Sequence, residues 1–260
     1  MKYLRVYFRF FRINTMKAFA YRGNFFLGLV LVSFESLTFL FAVTFLFQHI
    51  DSIAGWSEKD MLVLTGVFMI TQALAWLLYK ASVSNLDRLI QRGELDMHLV
   101  KPIDSQFLIS VYDIDLEDAA RGLVGFGLIF FGLQANPLTI LASLPIFLIT
   151  LMIGQVIIYS ISLAIKTISF KSIQGWSTNA IAWRFHELAR YPTDMYTGTM
   201  RMVYTYIFPL AFVATVPTKA LLGSLSLSFF LLAFVVGASS FLACRLIWKW
   251  ALKHYSSASG

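Results

Sequence analysis

Glu35 stands alone in the apolar stretch Phe25 to Gln48, and a carboxylate at that depth is a candidate for handling a proton, a cation or part of a substrate path. A second group of side chains capable of chemistry gathers in one island, Ser84 to Pro102 (SNLDRLIQRGELDMHLVKP), which holds Asp87, Arg88, Arg92, Glu94, Asp96 and Lys101. A third group, His186-Glu187, opens the string HELAR; it lacks the second His of a zinc-binding HExxH, so a polar pair at a helix end is the expectation there. No lysine follows any of the 15 glycines, which removes the GxxxxGK[ST] phosphate loop and with it nucleotide binding by that motif. The single Cys244 excludes an intramolecular disulfide and a cysteine-rich metal site. No catalytic residue, no metal and no cofactor is expected on this chain, and nothing points to nucleic acid.

These residues must be positioned by lipid-length helices, because 58% of the chain is hydrophobic and only 13% is charged. Crossing the ~30 Å hydrocarbon layer takes about 20 apolar residues. Met61 to Tyr79, Leu138 to Ile165 and Ala220 to Cys244 meet that length, as does Phe25 to Gln48 with its one carboxylate. Gly122 to Gln134 reaches it if Ala119 and Ala120 join and Arg121 snorkels to the interface. Ser172 to Trp183 and Met202 to Val216 are apolar but short, and a polar stretch separates them.

Basic residues set the orientation. Lys2, Arg5, Arg9, Arg12, Lys17 and Arg22 precede the first span, and Arg245, Lys249 and Lys253 follow or close the last. Both termini are therefore expected in the cytoplasm, which demands an even number of spans. The expected fold is all-α: a polytopic membrane protein with six transmembrane helices forming one domain over 1–260. Pro209 and Pro217 make 202–218 the expected external re-entrant helix pair before the last span. In the same scheme the Gln48 to Asp60 and Gln134 to Pro137 connections are external, and the 84–102 island is cytoplasmic.

Residues 1–23 show no signal-peptide pattern, since they are basic and aromatic with no short apolar core before a cleavage site. Tyr3, Leu4, Tyr7, Phe8, Phe10, Phe11 and Ile13 interleave with cations, as in an amphipathic helix lying among lipid headgroups. Tryptophans such as Trp56 and Trp248 fall near span ends and are expected in the interfacial aromatic belt. Within the island, Leu86, Leu89 and Ile90 recur at helical spacing until Gly93, which reads as one or two short helices across the cytoplasmic face. A linker that only connected spans would not need those apolar residues, so a docking surface for a soluble partner is expected.

Several fragments, in order, resemble the permease subunits of ABC-2 type exporters, in the six-span branch found beside daunorubicin-resistance ATPases. They are Tyr21-Arg22 with Asn24-Phe25, Gly55-Trp56, Gly93-Glu94-Leu95-Asp96 with Leu99 to Ile103, and Ala189 to Pro192; Pro209 and Pro217 resemble that family's re-entrant prolines. The resemblance implies a permease in a bacterial inner membrane, paired with a second permease, identical or paralogous. It also implies two copies of a cytoplasmic nucleotide-binding ATPase subunit, which would hold ATP and Mg. The island would then carry the coupling helix, with Asp87, Arg88, Arg92, Glu94, Asp96 and Lys101 touching the ATPase or shaping that contact. Outward movement of an amphipathic or lipid-like substrate is the expected function. A stand-alone ion-coupled transporter or channel is the alternative from another class.

Overall fold

A computed structural model describes residues 2–133, 137–170 and 175–255. Backbone in lipid has no partner but itself, and the described residues are accordingly almost all helical. Helix α1 (Lys2–Ala20) lies before α2 (Arg22–Phe47) and leaves Leu4, Phe8, Ile13 and Phe19 exposed. Helix α3 starts at a capping box in which the Ser57 hydroxyl and the Asp60 carboxylate satisfy each other's backbone N–H groups. It runs from Glu58–Ala75 through a π-helical turn, Trp76–Lys80, and a last turn, Ala81–Ser84. The short helices α4 (Leu86–Gln91), α5 (Leu95–Leu99) and α6 (Ser105–Val111) follow, then α7 (Ala119–Gly132) and α8 (Pro137–Lys166). Helix α9 (Gly175–Leu188), a bent pair made of α10 (Gly198–Met202) with its π-helical continuation and α11 (Thr215–Leu221), and α12 (Leu227–Lys253) complete the described chain.

Four helical stretches have the length and apolarity of a membrane span: Phe25–Phe47, Glu58–Gln91, Ile140–Phe170 and Leu227–Lys253. The bent pair raises this to 5 if taken as one span. The six spans expected from the sequence are thus not all of full length. Helices α7 and α9 have 14 residues each, a rise of about 21 Å against ~30 Å of hydrocarbon. The beginning of the expected segment Ser172 to Trp183 and most of the connection Gln134 to Pro137 lie outside the described residues. The second span does not stop near Tyr79: the helical stretch Glu58–Gln91 is 34 residues long and runs straight into the island.

Small residues let these helices touch backbone to backbone. A Cβ added at Gly66 of α3 would lie 2.5 Å from the carbonyl oxygen of Gly125 in α7, and one at Gly125 2.7 Å from that of Gly66. Gly154 of α8 receives the bent pair in the same way, 2.6 Å from the Phe212 carbonyl oxygen. The pair bends by 67° around Pro209. Pro217 does not break α11, because it falls in the first turn, where its missing N–H is not needed. Both outer ends of the pair return to Asp194, through Arg201 at 3.0 Å and Lys219 at 2.6 Å. Trp56, from the loop before α3, also donates its indole N–H to Asp194 at 3.2 Å.

Trp56 and Trp248 are buried, in contrast to the belt position expected from the sequence. The polar edge of each indole finds a protein partner, Asp194 for Trp56 and the Ser105 hydroxyl for Trp248, so neither ring needs the headgroup layer.

Candidate functional site

The island is built on the end of α3. Its side chains at 86, 89 and 95 are buried leucines, and Gly93 makes the turn between α4 and α5 with a φ of 67°, which favours glycine. Asp87 points inward. Its carboxylate accepts the Lys166 ammonium from the end of α8, the Ser169 hydroxyl at 2.5 Å and the Thr178 hydroxyl of α9 at 3.1 Å. One side chain therefore fastens the island to two other helical elements. The sequence carries a signal for this, because Val83 and Ile90, at i−4 and i+3 from Asp87, are both apolar, and that spacing places the carboxylate on the inward face.

The outer face carries the remaining charges. Arg88, Arg92 and Lys101 are exposed, Glu94 sits 3.9 Å from Arg92, and Asp96 is half-buried. Between them stand two apolar residues that sequence reasoning did not single out, Met97 at 61% exposure and Val100 at 81%. They are three residues apart around α5, whereas Leu95 turns inward. Partial burial, and then the nearby Lys101 ammonium, push the pKa of His98 below its ordinary value, so the imidazole between the two is neutral at pH 7.

Both terminal segments meet this end of the molecule. Lys2 donates to the Pro102 carbonyl at 2.5 Å, and the Tyr3 ring lies edge-on to Phe107 at 4.8 Å. Asp104 caps α6 by accepting from the Phe107 N–H at 3.0 Å, and Arg245 of α12 pairs with the same carboxylate. Burial works to raise the Asp104 pKa, but the hydrogen bonds from Arg245 and from Phe107 outweigh it and hold the carboxyl below its ordinary range.

Deeper in the bundle the polar groups form two clusters. In the first, the Lys80 ammonium donates to Gln72 Oε1 at 2.9 Å, stands 3.5 Å from His186 Nδ1, and lies over the Trp76 and Trp183 rings at 4.9 Å each. His186 Nε2 is 3.0 Å from the Ser162 hydroxyl. His186 does fall in the last turn of α9, next to Glu187, and there it is a buried crosslink between α9, α8 and α3. In the second cluster Arg121 reaches Glu35 Oε2 at 3.0 Å and Asp118 at 3.2 Å, while Arg190 pairs with Glu187 at 3.0 Å and lies 3.9 Å from Glu35. Arg121 is buried and does not snorkel to the interface, because two carboxylates, the buried Asp118 and the partly exposed Glu35, offer it stronger partners than an interface would. Glu35 is correspondingly an ion-paired residue.

Alongside the Lys80 cluster opens a cleft of about 1200 Å³, walled by the end of α3, by α8 and by α9. Part of this wall comes from the polar stretch that separates the two short apolar segments of the sequence and from the end of the first of them. The structure directs Arg184, His186 and Glu187 to this wall.

A family model described as ABC-2 family transporter protein matches residues 32–259. No curated protein and no solved structure matches significantly.

Proposed function

Given that the chain belongs to the ABC-2 transporter family and is its membrane-embedded transport component, we propose that it is the permease subunit of an ATP-driven exporter. It moves an amphipathic or lipid-like substrate outward, using ATP and Mg bound by a separate cytoplasmic ATPase subunit present in two copies. A second permease, identical or paralogous, completes the complex in a bacterial inner membrane. Both termini and the island lie on the cytoplasmic side. In support, α1 reaches Pro102 at the end of the island, and Arg245 of α12 pairs with Asp104 just beyond it.

The observation that carries the reading is the island's double character: Met97 and Val100 are exposed apolar residues on its outside, and Asp87 is locked to α8 and α9 on its inside. Nucleotide-driven closure of a soluble dimer reaches the spans only through an element that touches both. The 34-residue stretch Glu58–Gln91, about 51 Å long, is such an element. Pushing on Met97 and Val100 would displace Asp87, and with it Thr178 and Lys166, the latter in the wall of the cleft. Arg88, Arg92, Glu94, Asp96 and Lys101 form the polar rim of the same contact. The Glu35–Arg121 ion pair weighs against the ion-coupled alternative, since it occupies the acidic group on which that reading rested.

The test is a double substitution, Met97→Asp with Val100→Asp, in the chain co-expressed with the cytoplasmic ATPase subunit proposed as its partner. Both positions are exposed, so membrane insertion and the unfolding midpoint should not change. Burying two new carboxylates in an interface is costly, and the amount of ATPase recovered with the tagged permease should fall at least about tenfold. Recovery equal to wild type would refute the docking assignment.

A further inference from the structure

Lys80 is 6% exposed, and among the described residues no carboxylate oxygen lies within ion-pair distance of its ammonium. A buried cation without a counter-charge is costly, and the Gln72 carbonyl and two indole faces offset only part of that cost. The charges around the cleft do not balance either. Its described lining holds three lysine or arginine side chains, Lys80, Lys166 and Arg184, against one carboxylate, Glu187. Lys166 is already neutralised by Asp87, and Glu187 is already taken by Arg190. Lys80 and Arg184 are left facing a space of about 1200 Å³, ample for a single amphiphile, and Trp183 and Tyr191 expose 40% and 43% of their surface on the same wall.

Taking the chain as a permease, we infer that this cleft binds an anionic amphiphile, with Lys80 and Arg184 meeting its headgroup and Trp183 and Tyr191 flanking its apolar part. A cationic amphiphile is repelled by the same pair, and a neutral one leaves Lys80 without a counter-charge. The cleft thereby selects by the sign of the headgroup. Either a bilayer phospholipid or a free anionic amphiphile has the required chemistry.

The test uses the full chain in nanodiscs of phosphatidylcholine, with equilibrium dialysis of labelled dodecyl phosphate against protein-free discs as the blank. Saturable binding is expected, weakened at least about tenfold by Lys80→Gln, in keeping with the loss of one charge-assisted hydrogen bond, and retained in Lys80→Arg. Arg184→Gln, at an exposed position that folding does not depend on, should weaken it several-fold and carries the test if Lys80→Gln fails to fold. Dodecyltrimethylammonium should not compete. Competition by phosphatidylglycerol added to the discs would identify a bilayer lipid as the source, and its absence a free amphiphile. Binding unchanged in both Gln variants, or equal displacement by the cationic analogue, would overturn the inference. The binding step needs no ATPase, so a chain that binds dodecyl phosphate through Lys80 but recovers no ATPase would sink the permease coupling and leave the ligand class standing. An intact ATPase complex without such binding would do the reverse.

Discussion

Replacing Asp87 by Asn tests whether the island is fastened to the bundle by one charge. The substitution keeps size and one acceptor oxygen, enough for either the Ser169 hydroxyl, which uses Oδ1, or the Thr178 hydroxyl, which uses Oδ2, and what disappears is the negative charge beside Lys166. Lys166 is 1% exposed and cannot turn to water. Leaving such a cation unpaired costs about 3 to 5 kcal/mol, and the retained acceptor puts Asp87→Asn at the low end, near 3 kcal/mol, or roughly a hundredfold in the unfolding equilibrium. The double variant Asp87→Asn with Lys166→Met removes both charges, and its cost should shrink to about 1 kcal/mol; with Lys166→Met alone also costing about 3 kcal/mol for its stranded carboxylate, the coupling across the pair is about 5 kcal/mol. The assay is denaturant unfolding of the full chain in neutral detergent, followed by tryptophan fluorescence, with all four members of the cycle measured together. An Asp87→Asn variant within about 0.5 kcal/mol of wild type, or a double variant whose cost equals the sum of the singles, would refute the joint.

The α3–α7 contact has a built-in control. Gly125→Leu places a side chain where the Gly66 carbonyl oxygen already sits and should cost at least about 1 to 3 kcal/mol in unfolding free energy, while Gly127→Leu, with nothing within 4 Å of its added Cβ, should be neutral; equal melting midpoints for the two would contradict the packing. Asp104 carries an acid dependence. Its pKa is lowered in the folded protein, so its stabilising contribution is present above the unfolded carboxyl value of about 3.9 and is lost as pH falls through the folded value. Below about pH 4 the stability difference between wild type and Asp104→Asn should therefore narrow steadily, and a difference that stays constant from pH 7 to pH 3 would remove the Arg245 pair from the account.

Much of this protein was legible from apolar run length alone. Phe25 to Gln48, Met61 to Tyr79, Leu138 to Ile165 and the last run all correspond to long helices, because hydrocarbon forces each backbone N–H and C=O into local pairing whatever its neighbours do. The bend near Pro209 and the turn at Gly93 were legible for a similar reason: a missing N–H and a positive φ are properties of single residues. Where a helix continues was less legible. Nothing in Tyr79-Lys80-Ala81 stops α3, and the charge of Lys80 suggested an end that its burial against Gln72 and His186 makes unnecessary.

By itself, then, the order of residues determined a polytopic helical protein, the absence of a phosphate loop, and a charged island at 84–102, since composition and local geometry decide all three. Only the tertiary structure decided which charges are paired. Asp87 meets Lys166 across 79 positions and Glu35 meets Arg121 across 86, and no periodicity reaches that far. An isolated charge reads from sequence as a functional site or a snorkelling side chain. Its burial cost is met by partners from other helices, and those partners exist only once packing has brought the helices together.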